Sequence, residues 1–224
     1  MADRAVVFID GNNWFHALRA TGVEDRGRLN YKKVSEKLLG PRDWLGTRYY
    51  IGRMTQALSP SLYAQQRSFL AHLQGTDKRM SAHLGRLETR SADNTAAKEL
   101  RQYLAGLSKR LDPTVFAELM AIAKKHATAT VMVEKAVDVM LALDLVTMAI
   151  HDHYEAAYLL SADGDFTPAV ETVRSLGKKV YVASPLSGAQ LAKVAKHVHL
   201  PVEGLVRRLL QLGLQNCPNC PPPS

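Results

Sequence analysis

Three aspartates in this sequence follow apolar segments that are typical of buried strands. Asp10 comes directly after residues 5–9, and Asp163 and Asp165 lie just beyond residues 156–160. The carboxyl ends of parallel strands meet at one edge of a sheet, and ligands bind at that edge where the strand order reverses. If the two segments are neighbouring strands, these three carboxylates converge.

A fourth carboxylate, that of Asp138, stands at the start of a strongly apolar segment, residues 138–150, which predicts a helix. A helix start is exposed to the adjoining loops and can point into the same crevice. Carboxylates a few ångströms apart repel one another and take up protons, and a divalent cation removes that repulsion. Ligand sets made only of oxygen favour Mg²⁺ or Mn²⁺ over Zn²⁺. Such ions promote phosphodiester cleavage by activating water and stabilising the leaving oxygen.

Each aspartate also has a purely structural interpretation. Asp10 could cap the turn that follows it, and Asp138, Asp163 and Asp165 could each cap a helix. Asp144 lies six residues after Asp138, roughly 240° around a helix, so the two side chains cannot share a face. We therefore leave Asp144 out of the metal set and expect a structural role for it, either capping a loop or pairing with a Lys or Arg.

The charge of the chain is positive and unevenly distributed. The 224 residues include 29 Lys and Arg and 21 Asp and Glu, a net charge of +8 with His neutral. Residues 1–130 carry the excess, whereas residues 131–224 hold 8 basic and 9 acidic side chains. A basic body around an acidic centre suits a polyanionic substrate and a metal site. The alternative is an ordinary soluble surface.

Strands that alternate with helices predict an α/β fold with a parallel sheet and helices on both faces. Besides the two strands above, we expect strands at residues 47–51, 82–87 and 179–183. Helices are expected at residues 12–19, 62–73, 166–176 and from 187 to 195. Residues 91–130 fit this alternation poorly, and their two helical patterns, 95–107 and 113–126, predict an inserted helical hairpin.

The sequence resembles the NYN domains, a branch of the PIN-like ribonuclease superfamily. Three ordered motifs carry the resemblance: residues 7–13 (VFIDGNN), residues 134–144 (EKAVDVMLALD) and residues 160–166 (LSADGDF). The strand at residues 179–182 also fits. Together they span most of residues 4–200, apart from the helical insert.

The resemblance implies a three-layer, PIN-like sheet and a metal-dependent endoribonuclease site. It places Asp10, Asp138, Asp163 and Asp165 as catalytic ligands of Mg²⁺ or Mn²⁺. It also implies that Asn13 orients Asp10 or the scissile phosphate, and that Ser161 forms hydrogen bonds within the cluster. We therefore count Asn13 among the predicted catalytic residues and Ser161 among the predicted substrate-binding residues.

Two basic residues are candidates for substrate binding. Lys135 lies three residues before Asp138, where a cation could meet phosphate, and its alternative is a solvated side chain. Arg53 and Arg48 interleave with Tyr49 and Tyr50, so that stacking on single-stranded bases is one interpretation. We expect core packing for one or both tyrosines instead.

The sequence departs from the family in two places. The family usually has an acidic residue before its last short strand, but this chain reads AKHVH at residues 195–199. The segment 91–130 also exceeds the usual family length, which makes it either a substrate or partner surface or a decoration without a role.

The function predicted from these residues is hydrolysis of RNA, single-stranded or structured, by a metal-dependent ribonuclease. A catalytically silent RNA-binding or regulatory module of the same fold is the first alternative. An aspartyl-nucleophile phosphatase is the second, although such enzymes usually need an Asp where this chain has Asn12.

For the chain as a whole we expect one nuclease domain over residues 1–204 and a C-terminal helix and flexible tail over 205–224. No apolar run reaches about 18 residues and no secretory signal is evident, so we expect neither a membrane span nor secretion. Both cysteines, Cys217 and Cys220, stand in the tail, which favours a cytoplasmic protein and amounts to only half a zinc site. The sequence does not predict an oligomer.

Overall fold

A computed structural model of the chain describes residues 2–20, 29–91, 94–127, 130–184, 193 and 196–199. It is an α/β fold in which strands and helices alternate, as predicted. The strands are β1 (Arg4–Asp10), β2 (Asp43–Arg53), β3 (Met80–Ser91), β4 (Thr130–Lys135), β5 (Ala156–Leu160), β6 (Lys179–Ser184) and β7 (Lys196–His199). The helices are α1 (Gly11–Ala20), α2 (Tyr31–Leu39), α3 (Pro60–Thr76), α4 (Thr95–Gly106), α5 (Pro113–Ala127), α6 (Val137–Ile150) and α7 (Thr167–Ser175).

The carboxyl end of β1 lies at the point where the strand order of the sheet reverses. The order is β4-β3-β2-β1-β5-β6-β7, so the chain moves outward from β1 to one edge and later from β5 to the other. The pairs β1–β2, β2–β3, β1–β5, β5–β6 and β6–β7 are parallel. In the register of β1 and β5, Ile9 lies opposite Leu160. Asp10, the last residue of β1, and Ser161, the first residue after β5, therefore lie side by side at the carboxyl edge.

Two apolar clusters pack on opposite faces of β1 because side chains alternate along a strand. Val7 and Ile9 belong to one cluster, to which α1, α2 and α3 contribute residues such as Trp14. Phe8 belongs to the other, with α6 and α7 residues such as Leu141. Helices thus cover β1 on both sides, which explains why its sequence is continuously apolar rather than alternating.

The chain divides into two compact units. One comprises Met1–Arg86 and Lys135–Ser224, and the other comprises Leu87–Glu134. The second unit contains α4 and α5, which pack against each other. The domain boundaries predicted from the sequence, at residues 204 and 205, stay a prediction because residues 200–224 lie outside the described part of the chain.

Three elements were not predicted from the sequence, namely α2, β4 and β7. The helix α2 begins after Asn30, whose side chain accepts a hydrogen bond from the backbone N–H of Lys33 at 3.1 Å, as an N-cap does. The strand β4 immediately precedes the αL residue Ala136, and β7 has only four residues. The helix expected from residue 187 to 195 falls almost entirely outside the described residues.

The most apolar helix of the fold, α6, is 14 residues long. Leu141 and Leu145 on this helix are fully buried, whereas Val139 and Leu143 are about 60% exposed. None of the helices in the described part of the chain combines the length and hydropathy that a membrane span requires.

Candidate active site

The side chain of Asp10 is held at the end of β1 by two hydrogen bonds. One carboxylate oxygen accepts from the backbone N–H of Asn13 at 3.1 Å, and the other accepts from the Ser161 hydroxyl at 2.9 Å. Asp10 and Ser161 are only 3% and 1% exposed. Both polar groups are therefore buried, and each satisfies the other. The bond to Asn13 is a cap of the turn, so the structural interpretation of Asp10 holds together with its position at the crevice.

Asn13 and Ser161 connect β1 to the loop that follows β5. The Asn13 side-chain oxygen accepts a hydrogen bond from the Ala162 backbone N–H at 3.0 Å. The Ser161 oxygen accepts from the Asp163 backbone N–H at 3.1 Å while it donates to Asp10. A single oxygen atom thus separates the Asp10 carboxylate from the Asp163 amide. The structure brings together Asp10, Asn13, Ser161 and Asp163.

Asp163 caps a single 3₁₀ turn, Gly164–Phe166, that contains Asp165 and leads into α7. One carboxylate oxygen of Asp163 caps this turn by accepting from the Asp165 backbone N–H at 3.0 Å. Phe166 is buried and anchors the turn in the core. Since capping uses one oxygen of Asp163, the other oxygen and the exposed Asp165 carboxylate remain available at the carboxyl edge of the sheet.

Asp138, in the first turn of α6, lies close enough to Asp163 and Asp165 to interact with their charges. Burial, followed by the negative charges of these two residues, raises the pKa of the Asp138 carboxyl above its ordinary value. The helix starts after Ala136, which has a left-handed backbone with φ of +67°. This conformation costs a residue with a Cβ roughly 1–2 kcal/mol. No sequence signal predicted it, because Ala has no preference for that region.

The predicted ligands are oxygen donors, which hard divalent cations prefer. All four predicted ligands are carboxylates, and three of them repel one another, which is the condition that a cation relieves. Within the ranges that the structure describes, however, no three His, Cys, Asp or Glu side chains converge closely enough to form a metal centre. Each oxygen of Asp10 accepts a hydrogen bond, and a carboxylate oxygen has a second lone pair with which it could also bind a cation.

The two predicted basic groups end different strands. Lys135 ends β4, two residues before α6 and three before Asp138, and its side chain is half-buried. Arg53 ends β2 and is exposed. Both therefore stand at strand ends.

The Asp144 side chain binds residues of β2 and does not join the four predicted metal ligands. Its carboxylate accepts hydrogen bonds from Arg48 at 2.9 Å and from the Tyr50 hydroxyl at 2.7 Å. Arg48 also donates to the Tyr50 hydroxyl at 3.0 Å. Asp144 thus has the expected structural role, and of the two alternatives it is the pairing with a cation. The signal in the sequence was an Asp within an apolar helix, while Arg48 and Tyr50, two residues apart on one strand face, were not recognised as its partners.

Both tyrosines of β2 belong to the core, as expected. Tyr49 is 3% exposed and Tyr50 is fully buried. The ring of Tyr50 stacks on His83, with centroids 4.8 Å apart. Burial is the largest cause that raises the Tyr50 pKa, followed by the hydrogen bond to Asp144. Its hydroxyl is therefore a neutral donor at physiological pH.

Comparison with known proteins agrees with this α/β architecture. A crystal structure of a protein of unknown function, VPA0982 from Vibrio parahaemolyticus RIMD 2210633, is similar, with a TM-score of 0.53 and 17% sequence identity. The match covers 88% of this chain and 91% of that chain. At this identity the likeness concerns the fold alone. No curated protein matches the chain.

The class that the fold defines is an α/β protein with several carboxylates at the carboxyl edge of its sheet. The NYN domain family matches residues 4–202, and the chain belongs to this family. The match confirms the resemblance inferred from the three motifs. NYN domains are nuclease-related, so membership supports a hydrolase in general terms.

Proposed function

We propose that this protein is a metal-dependent endoribonuclease. The observation that carries the proposal is the arrangement at the carboxyl edge of the sheet, where Asp10 is bound to Ser161 and Ser161 to the Asp163 backbone. Asp138 interacts electrostatically with Asp163 and Asp165 at the start of α6. Family membership supports the same class of chemistry.

The proposed roles follow from these contacts. Asp10, Asp138, Asp163 and Asp165 would hold Mg²⁺ or Mn²⁺. When bound, such an ion lowers the pKa of water and neutralises charge on the phosphodiester oxygens. The buried bond from Ser161 fixes the orientation of Asp10.

The remaining residues of the site would position the strands and the RNA. Asn13, in the first turn of α1, bonds the loop after β5 through its side chain and Asp10 through its backbone N–H, which would keep the carboxylates of the two strands at a fixed separation. Lys135 and Arg53 would contact phosphate groups of RNA, whose affinity rests on such charges. RNA is thus the proposed partner.

We also propose that the sheet is the three-layer arrangement of PIN-like proteins, with α4 and α5 as the inserted hairpin. The apolar clusters on both faces of β1 and the change of direction between β1 and β5 support this. The compactness of Leu87–Glu134 as a unit of its own supports the insertion.

The test compares the parent protein with Asp10→Asn and Asp163→Asn on end-labelled single-stranded RNA. We expect the parent to cleave in Mg²⁺ or Mn²⁺ and to stop when EDTA is added. Each variant should lose at least about 100-fold in rate, since a metal-assisted step depends on its ligands. Circular dichroism should show that both variants stay folded, and gel shift should show that they still bind RNA.

The matched control is Asp43→Asn, because Asp43 is an exposed carboxylate at the amino end of β2, opposite Arg4. It should cleave at the parental rate. Parental cleavage by folded Asp10→Asn would refute the assignment of this site.

A second candidate function is a non-catalytic RNA-binding module. The specific observation in its favour is that no three acidic or other ligating side chains of the described residues form a metal centre. RNA binding without cleavage, under every metal condition above, would favour this function over the nuclease.

A further inference from the structure

A cavity of 490 Å³ opens beside the candidate active site. It begins at Gly11, the residue after Asp10, and is bounded by α1, the end of β2 and the first half of α3. Its volume falls within the range of about 300–1,000 Å³ that small-molecule sites have in proteins. The carboxylate edge and the cavity therefore lie at the same end of the sheet.

The floor of the cavity is a cluster of three aromatic rings. Tyr49 meets Tyr31 with ring centroids 5.4 Å apart and Phe69 at 5.2 Å, and both pairs are edge-to-face. Tyr31 and Phe69 meet in the same way at 5.9 Å. Edge-to-face packing fixes the rings, so the floor is formed before any ligand enters.

Gly11 is required for this floor. A Cβ at this position would lie 2.5 Å from the Tyr49 ring and 2.6 Å from the Tyr50 carbonyl oxygen. No side chain fits there unless both the Tyr49 ring and the β2 backbone at Tyr50 move. The glycine of the first sequence motif thus serves the cavity wall as well as the turn after Asp10.

The mouth of the cavity combines apolar and amide groups. Phe15 and Leu62 are each 40% exposed at the rim, and Asn12 and Gln65 are exposed beside them. Gln66 braces the wall, since its amide accepts from the Met54 N–H and donates to the Gly52 carbonyl, both at 2.8 Å.

No residue that lines this cavity in the described part of the chain is charged. Burial raises the pKa of the Tyr31 hydroxyl to about 12, so that this group is also neutral. The lining therefore suits a flat, uncharged ligand with polar edges and disfavours a phosphate.

We propose that this cavity binds a nucleobase of the RNA next to the phosphate at the carboxylate site. The inference rests on the proposed function for its substrate class. Aromatic side chains stack on bases of any sequence, and amide side chains form hydrogen bonds with base edges. Because Gly11 lines the cavity and directly follows Asp10, a base in the cavity would lie near the acidic edge of the sheet.

The test uses single-stranded RNA that contains 2-aminopurine, in EDTA so that the RNA stays intact. The protein variants are Phe15→Ala and the conservative Phe15→Trp. We expect the parent and Phe15→Trp to quench the fluorescence of the stacked 2-aminopurine. Phe15→Ala should lose most of this quenching and about 5-fold or more in affinity. Because Phe15 lies at the exposed rim, its replacement should leave the fold intact, which circular dichroism verifies.

The control variant is Leu176→Ala, because Leu176 is 44% exposed and does not line the cavity. It should match the parent. If Phe15→Ala also matches the parent in quenching and affinity, the base-binding proposal is overturned.

A parallel cleavage assay in Mg²⁺ separates this proposal from the proposed function. Quenching that depends on Phe15, in a protein that does not cleave, supports the base site and refutes the nuclease. Cleavage that is equal for the parent and Phe15→Ala, and equal on RNA with abasic positions around the cut, supports the nuclease and refutes the base site.

Discussion

A single hydroxyl, that of Ser161, organises the acidic edge of the sheet. It donates to a buried carboxylate oxygen of Asp10 and accepts from the Asp163 amide, so its two roles link two strands. Within the described part of the chain, no comparable hydrogen bond holds Asp138, and its carboxyl instead interacts with the negative charges of Asp163 and Asp165. The site therefore contains one fixed carboxylate and one that is repelled by its neighbours.

The repulsion predicts that Asp138→Asn stabilises the metal-free protein. The variant removes one of three like charges, and since Asp138 is partly exposed and screened by solvent, we expect a gain in the free energy of unfolding of about 0.5 kcal/mol or less. Urea unfolding in EDTA measures it. Added Mg²⁺ or Mn²⁺ should stabilise the parent and not the variant, because an ion that binds only the folded state raises stability with concentration.

The control for this prediction is Asp152→Asn. The Lys178 ammonium holds the pKa of the Asp152 carboxyl below its usual value, so that this carboxylate interacts favourably in the fold. Its replacement should not raise stability. A destabilised Asp138→Asn protein in EDTA would contradict the interpretation of Asp138 as a repelled carboxylate.

At the scale of elements, β1, β5 and α6 could be predicted from the sequence because their patterns are unambiguous. Continuous apolar runs that end in Asp-Gly indicate buried parallel strands. The bounds of β5 match the prediction, and β1 and α6 differ from it by one residue. The short strand β7 lacks such a pattern, since a four-residue strand depends on pairing with β6 that no local window shows.

From the sequence, the alignment of Asp10 with Ser161 could be expected only if β1 and β5 were neighbouring strands. Strand order and register provide it, and both are tertiary properties. The cavity was missed for the same reason. Its floor joins Tyr31, Tyr49 and Phe69 from three elements, and these residues read individually as ordinary core.

The Asp144 network, which joins α6 to β2, leads to a pH-dependent prediction through His83. Burial, followed by the Arg48 charge, lowers the pKa of His83, whereas Asp144 raises it. Because the folded pKa lies below the unfolded value, the unfolded chain takes up the proton first. Stability is therefore lost as the pH falls from about 6.5 towards the folded pKa.

We expect the parent to be less stable at pH 5.5 than at pH 7.5, and His83→Gln to lose part of that difference. Asp144→Ala should be destabilised by roughly 1–3 kcal/mol at pH 7.5, because Arg48 and the buried Tyr50 hydroxyl lose their acceptor. Urea unfolding at both pH values measures these effects. An unchanged pH dependence in His83→Gln would show that His83 does not carry it.

For the whole molecule, the net charge of +8 means that RNA binding should have two contributions, one from contacts with phosphate and one from base stacking. Contacts of Lys and Arg with phosphate release counterions, so the logarithm of the affinity falls linearly with the logarithm of salt concentration, at about 0.7 per contact on single strands. Stacking of a base in an uncharged cavity releases none. The two contributions therefore differ in their response to salt.

This difference predicts opposite behaviour for two kinds of variant, measured by Kd for a single-stranded RNA in EDTA between 50 and 200 mM salt. Arg53→Gln should reduce the salt slope by about 0.7, because one phosphate contact is lost. Phe15→Ala should weaken binding at every salt concentration and leave the slope unchanged. A changed slope in Phe15→Ala would mean that the rim of the cavity positions cations rather than a base. An unchanged slope in Arg53→Gln would remove Arg53 from the RNA-binding surface and leave the cavity assignment intact.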